Sequence, residues 1–180
     1  MSHCCYPPLS PGSDIRLLRL MPNNDETAPI QCELFEYSFQ ESSKGIHLYE
    51  ALSYVWGSLN PPRFISIDKH NLRVTENLRK ALSHLRNRSL ARIIWIDAVC
   101  INQKDNEEKV HQIQLMAKIY GQANRVIVYL GEATHNSDQA FEDIRAATED
   151  RPANSSISKK SQDAILKLLE RSWFRRIWVS

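Results

Sequence analysis

Two hydrophobic rhythms run along this chain. From Tyr49 onward, short apolar runs alternate with stretches in which apolar residues recur every three or four positions. The runs cover residues 49–57, 93–97 and 125–130. Near-continuous apolar runs of this length read as buried strands. Between them, Leu78, Ala81, Leu82 and Leu85 predict an amphipathic helix over 76–87, with Thr75 as its N-cap. Asp105 and Glu108 have capping-box spacing. Val110, Ile113, Met116, Ala117 and Tyr120 then predict the apolar stripe of a helix over 106–120, stopped by Gly121. A further helix carries Ala140, Ile144 and Ala147; another, over 157–171, carries Ala164, Ile165, Leu168 and Leu169. Residues 150–157 read as a polar linker between them.

Ahead of Tyr49 the pattern differs. Residues 15–20 are a strand candidate, and 32–39 alternate, with Phe35, Tyr37 and Phe39 on one face. A turn signal at 21–25 joins them, so an antiparallel hairpin is expected at one side of the domain. A polar loop follows at 40–45. Residues 64–68 and 71–74 predict a small hairpin turning at Lys69-His70. The alternation of strand and helix predicts an α/β fold: an open, mostly parallel sheet flanked by helices, with the N-terminal hairpin attached. Residues 1–13 are expected to be a disordered leader and 14–180 a single domain.

In parallel sheets, ligand sites gather at the carboxyl ends of the strands. That edge collects Ser53, Tyr54, Trp56, Gly57, Asp97, Asn102, Gln103, Gly131 and Glu132. Asp97 reads either as a ligand-contacting or catalytic carboxylate or as a strand-end cap. Glu108 is a second carboxylate nearby, or a capping-box residue and nothing more. Asn102 and Gln103 suit hydrogen bonds to a ribose or an amide, and equally suit bracing of a loop. Tyr54 and Trp56 offer stacking faces or core packing. Gly57 permits close backbone approach or a turn. Glu50 reads as a strand-entry residue, or as one facing a cleft. Cys100 with His111 is a weak thiol-nucleophile pattern.

Charge and cysteine usage narrow the classes. With 23 basic and 21 acidic residues the net charge is +2, too balanced to point to nucleic acid. No apolar run approaches the ~20 residues of a membrane helix. The start lacks a signal-peptide pattern, so a cytoplasmic protein without a membrane partner is expected. Cys4 and Cys5 are adjacent, which does not suit metal chelation, and Cys32 and Cys100 sit in apolar stretches. Reduced thiols are expected, and no metal site.

Four segments in order carry a resemblance. Tyr49-Glu50-Ala51-Leu52-Ser53-Tyr54-Val55-Trp56-Gly57 is the first, and Val74-Thr75-Glu76-Asn77-Leu78 the second. Next comes Ile94-Trp95-Ile96-Asp97-Ala98-Val99-Cys100-Ile101-Asn102-Gln103, with Glu108, Gln112, Met116, Ile119 and Tyr120 following. Trp173-Phe174-Arg175-Arg176-Ile177-Trp178-Val179 is the last. Together they resemble the fungal heterokaryon incompatibility (HET) domain over residues 49–180. The resemblance implies non-self recognition and programmed cell death, with self-association or another incompatibility protein as partner. It also implies a remote, flavodoxin-like kinship with Toll/interleukin-1 receptor (TIR) domains. Some of those cleave NAD, using a late glutamate. The late HET motif runs Trp-x-x-Arg-x-Trp-x-x-Gln-Glu. Trp173, Arg176 and Trp178 match it, and the sequence ends before the Gln-Glu pair, so a domain cut short is expected. On this basis Asp97 and Glu108 are the candidate catalytic residues. Ser53, Tyr54, Trp56, Gly57, Asn102, Gln103 and Arg176 are candidate ligand contacts. NAD is expected as a substrate, with no resident cofactor.

Overall fold

The computed structural model describes residues 6–11, 14–40, 48–134, 137–148 and 158–175. Among these residues seven strands form: β1 (Ile15–Leu20), β2 (Gln31–Tyr37), β3 (Glu50–Tyr54), β4 (Arg63–Ile67), β5 (His70–Val74), β6 (Arg92–Trp95) and β7 (Arg125–Tyr129). The helices are α1 (Glu76–Leu85), α2 (Asp97–Cys100), α3 (Asn106–Gly121), α4 (Ser137–Thr148) and α5 (Lys159–Leu169). The chain divides into two compact units, Met1–Tyr129 and Leu130–Ser180. The first holds the whole sheet. The second packs Ala140, Ala164 and Leu168 with Leu130 and Ile165. Among the described residues no helix is long and apolar enough to cross a membrane. The expected loop at 40–45 (past Gln40), the linker at 150–157 (before Ser158), Cys4, Cys5, Arg176 and Trp178 lie outside the described residues.

The sheet order is β5-β4-β2-β1-β6-β3-β7. It is mixed, which corrects the mostly parallel sheet expected from the sequence. β3 pairs in parallel with both β6 and β7, and β2 with β4. β1 runs antiparallel to both its neighbours, β2 and β6. The hairpin of β1 and β2 forms, but it is built into the middle of the sheet and not at one side. The reason lies in β1. Ile15 and Leu17 point to one face and Leu18 and Leu20 to the other, and none is more than 1% exposed. A strand apolar on both faces needs cover on both, which an edge position does not provide.

Local signals place most other elements. Thr75 caps α1, its hydroxyl accepting from the Leu78 amide at 3.2 Å, and Leu78, Ala81 and Leu82 are buried. The β4–β5 hairpin turns at Asp68-Lys69, both at positive φ (48° and 69°), one residue earlier than expected. Two positive φ values match the turn that suits twisted two-stranded ribbons. After Trp95 the apolar run bends into the single turn of α2, burying Val99 and Cys100.

α3 departs from its predicted stripe. Val110 and Ile113 are 57% and 55% exposed, whereas Gln112 and Ile119 are buried. Leu115, Met116 and Tyr120 complete the inward face. Polar anchors turn the helix. Gln112 donates to the Asp14 carbonyl at 2.8 Å. Asp105 caps the helix by accepting from the Glu107 and Glu108 amides. The Glu108 carboxylate does not return to Asp105 as a capping box requires. It grips Arg16 of β1 with both oxygens, at 2.6 and 3.1 Å.

The Arg16 and Glu108 side chains are 3% and 12% exposed. Removing one member of a buried pair strands the other charge, at a cost of about 3–5 kcal/mol. Glu108→Ala is therefore expected to lower the unfolding free energy by about that much in urea titrations. Glu33→Ala, which breaks the Arg19–Glu33 pair with both side chains 44% exposed, is expected to cost under about 1 kcal/mol. Equal losses from the two variants would contradict this account.

Candidate functional site

β3 and β6 lie side by side in parallel, with Ala51 beside Trp95. Their carboxyl ends therefore open on one edge. Beyond β3 the chain turns at Gly57, whose φ is +73°. A Cβ on Gly57 would lie 3.0 Å from Asn77 Nδ2. That same Nδ2 donates to the Val55 carbonyl at 3.1 Å. Glycine is thus required twice, for the left-handed conformation and for room beside α1.

Beyond β6, Asp97 opens α2. Its Oδ2 accepts from the Trp56 indole N–H at 3.0 Å, and its Oδ1 from the Ala98 amide at 2.7 Å. Gln103 Nε2 donates to the Asp97 carbonyl at 2.9 Å. Asn102 Oδ1 accepts from the Lys104 amide at 3.2 Å, and the Asn102 amide donates to Glu108 Oε1 at 2.8 Å. The two loops are thus stitched to each other and to the start of α3.

Between them lies a cleft of about 740 Å³, within the size range of small-molecule sites. Tyr54, Trp56 and Gly57 line it from β3. Asn71, Arg73, Thr75 and Leu78 line it from β5 and α1, and Ala98, Asn102, Gln103 and Lys104 from α2 and its loop. Tyr6 closes part of the wall. Its hydroxyl donates to the Val99 carbonyl at 2.8 Å, and the Arg16 guanidinium lies 5.4 Å from its ring centre.

The structure therefore brings Tyr54, Trp56, Gly57, Asn102 and Gln103 together, with Asp97 joined to them through Trp56. Ser53 is buried at 3% exposure and is not among the lining residues. Successive strand residues face opposite ways, so Ser53 and Tyr54 cannot share a face. Glu108 is outside the lining too, its carboxylate engaged by Arg16 and Asn102. Arg176 lies outside the described residues. Glu50 sits at the other end of β3, paired with Arg92 at 2.8 Å and with Arg125. Sequence reasoning missed Tyr6, Asn71, Arg73 and Lys104. The period-two pattern of β5 places Asn71 and Arg73 on one face, but nothing local brings that face to the end of β3.

The thiols are chemically quiet. Cys100 is 1% exposed, its Sγ accepts from the Ile96 amide at 3.3 Å, and burial pushes its thiol up to about 12. His111 is exposed on α3. A nucleophilic Cys100 needs a depressed thiol pKa, so the Cys100–His111 pattern is not a catalytic pair. Burial, and then the Asp68 charge, push Cys32 up to about 12 as well. Among the described residues no group of three or more His, Cys, Asp or Glu side chains is placed to hold a metal ion.

Both thiols ionise less readily folded than unfolded. Their contribution to stability is complete below the unfolded thiol pKa, ~8.5. It is lost as pH rises toward about 12. The urea midpoint is expected to fall between about pH 8 and pH 11. Peptide mapping after iodoacetamide at about pH 8 is expected to find Cys32 and Cys100 unmodified until the chain is unfolded. Rapid alkylation of native Cys100 would overturn this.

Comparison with known proteins gives the site its context. The family model described as Heterokaryon incompatibility protein (HET) matches residues 49–180. The chain is also 36% identical over 145 residues to heterokaryon incompatibility protein 6, OR allele, of Neurospora crassa. That match covers 73% of this chain and 21% of the relative, so the chain spans only a minor part of the relative's length. No solved structure matches. The matched region begins at the entry to β3 and includes both loops of the cleft, while Tyr6 and Arg16 lie ahead of it. With its segments at 49–57 and 94–103 folded against one another at that cleft, this chain belongs to the fungal heterokaryon incompatibility (HET) family.

Proposed function

We propose that this chain is the HET module of a fungal non-self recognition protein, and that the cleft at the ends of β3 and β6 binds the ligand through which it triggers cell death. One observation carries this reading: Tyr54, Trp56, Gly57, Asn102 and Gln103, from two distant segments of the family match, meet in one cleft. We propose NAD as that ligand and as a substrate. The reaction breaks the bond between ribose C1′ and the nicotinamide nitrogen. Nicotinamide leaves with the bonding pair, water oxygen bonds to C1′, and one water proton is released. The products are nicotinamide, ADP-ribose and a proton.

The chain's own groups suit this division of labour. Trp56 and Tyr54 supply flat faces for a ring. Asn102 uses its Oδ1 on Lys104 and keeps its side-chain N–H₂ for a ligand. Asp97 is not among the lining residues; its carboxylate holds the Trp56 indole, and through that contact its charge offsets positive charge developing at C1′. Purified protein incubated with NAD is expected to release nicotinamide, measured by chromatography. Asp97→Asn should slow release by about 100-fold or more, with Trp56→Ala raising KM. No release from this chain, nor from one extended past Ser180, would sink the enzymatic reading.

A second reading has its own support. Val110 and Ile113 on α3 and Val126 and Val128 on β7 are all at least 40% exposed, apolar positions that suit signalling by self-association. Sedimentation is then expected to show oligomers that Ile113→Lys or Val128→Lys dissolves. Cell death on expression would be lost in those variants and kept in Asp97→Asn. A monomer at all concentrations would remove this reading.

A further inference from the structure

We infer that the cleft selects an anionic ligand bearing a flat aromatic ring, the chemistry of a nucleotide, and that Arg73 and Lys104 read its charge. This rests on the reading of the cleft as a ligand site. It adds which chemical class enters and which side chains decide it.

The charge of the lining is one-sided. Arg73 and Lys104 line the cleft, and among the described residues no aspartate or glutamate does. Arg73 also differs from most arginines of the sheet unit. Arg16, Arg63, Arg79, Arg92 and Arg125 each pair with a glutamate. Arg73 does not. Its Nη2 donates to two neutral acceptors, the Leu59 carbonyl and Asn60 Oδ1, both at 2.9 Å. Those bonds hold the guanidinium in place and leave its charge unneutralised. Nε and Nη1 remain as donors, in the planar arrangement that suits phosphate or carboxylate oxygens. Arg86, by contrast, also lacks a glutamate, but it is spent on the carbonyls of Asp25, Glu26, Ala28 and Pro29, away from the cleft.

The aromatic part follows from Trp56. The residue is 41% exposed, yet its indole N–H is fixed by Asp97 at 3.0 Å. An exposed indole held in one orientation is a preformed stacking surface. Tyr54 and Tyr6 line the same cleft. A lining that combines cations, aromatic faces and the neutral amides of Asn71 and Asn102 matches a molecule that carries both a ring and negative charge. A purely cationic ligand would meet the like charge of Arg73, whose hydrogen-bond partners Leu59 and Asn60 are both neutral.

Calorimetric titration of the whole chain with ADP and with adenosine tests this. ADP is expected to bind at least about ten-fold tighter than adenosine, with the gap shrinking as salt rises. Arg73→Gln and Lys104→Gln should each close most of that gap while leaving adenosine affinity unchanged. Arg73→Lys should retain part of it, and Trp56→Ala should weaken both ligands, placing them in this cleft. The inference is overturned if adenosine binds as well as ADP, if ADP does not bind, or if neither charge variant changes the gap. ADP binding without nicotinamide release would leave it standing and remove NAD hydrolysis. Release with an unchanged KM in both charge variants would do the reverse.

Discussion

The Arg16–Glu108 ion pair is the interaction on which the rest of this domain depends. Arg16 sits in β1, in the middle of the sheet, and is almost wholly buried. A buried guanidinium must have its charge and donors met. Glu108 meets two, the Pro7 carbonyl accepts at 2.7 Å, and the Cys100 carbonyl lies at 3.4 Å, which leaves Nε as the donor without a partner among the described residues. One side chain thereby joins the N-terminal segment, the end of α2 and the start of α3. Glu108 Oε1 then accepts from the Asn102 amide, so the loop along the cleft is set by the same pair.

From that clamp the site is built by shared partners. Asp97 holds Trp56, Gln103 holds the Asp97 backbone, and Asn77 holds the backbone just before Gly57. Each bond ties a loop beside the cleft to a neighbouring segment. The opposite edge of the sheet is different. There Glu50 is closed between Arg92 and Arg125, so its charge is neutralised by the protein itself. The neutralised Glu50 at one end of β3 and the Arg73 guanidinium beside the cleft give the two ends different electrostatic character.

Much of the fold was legible because its signals are local. The Thr75 cap, the apolar positions of α1, the β4–β5 turn near Lys69 and the apolar runs of β3, β6 and β7 follow from neighbours a few residues apart. The misread elements are those governed by distant partners. β1 went to the centre of the sheet because both its faces are apolar, a feature obscured by the turn signal beside it. α3 rotated because Glu108 and Gln112 find partners on and beside β1, and those outweigh the apolar count of the Val110–Ile113 face. In the site, the two motif loops were legible as a pair. Tyr6 and Arg73 were not, since no periodicity links residue 6 or residue 73 to residue 56.

The sequence by itself determined the family, the strand–helix alternation from Tyr49 onward, and the edge where Tyr54, Trp56, Gly57, Asp97, Asn102 and Gln103 collect. These depend on residue type and short spacing, which the chain carries without folding. Only the tertiary structure decided how these groups divide their work. Glu108 became the partner of a buried arginine, Ser53 turned into the core, and Asp97 became the anchor of Trp56. The physical reason is the same in each case. A polar group's role is set by which opposite charge or donor it is buried beside, and here those partners are as many as 92 residues away.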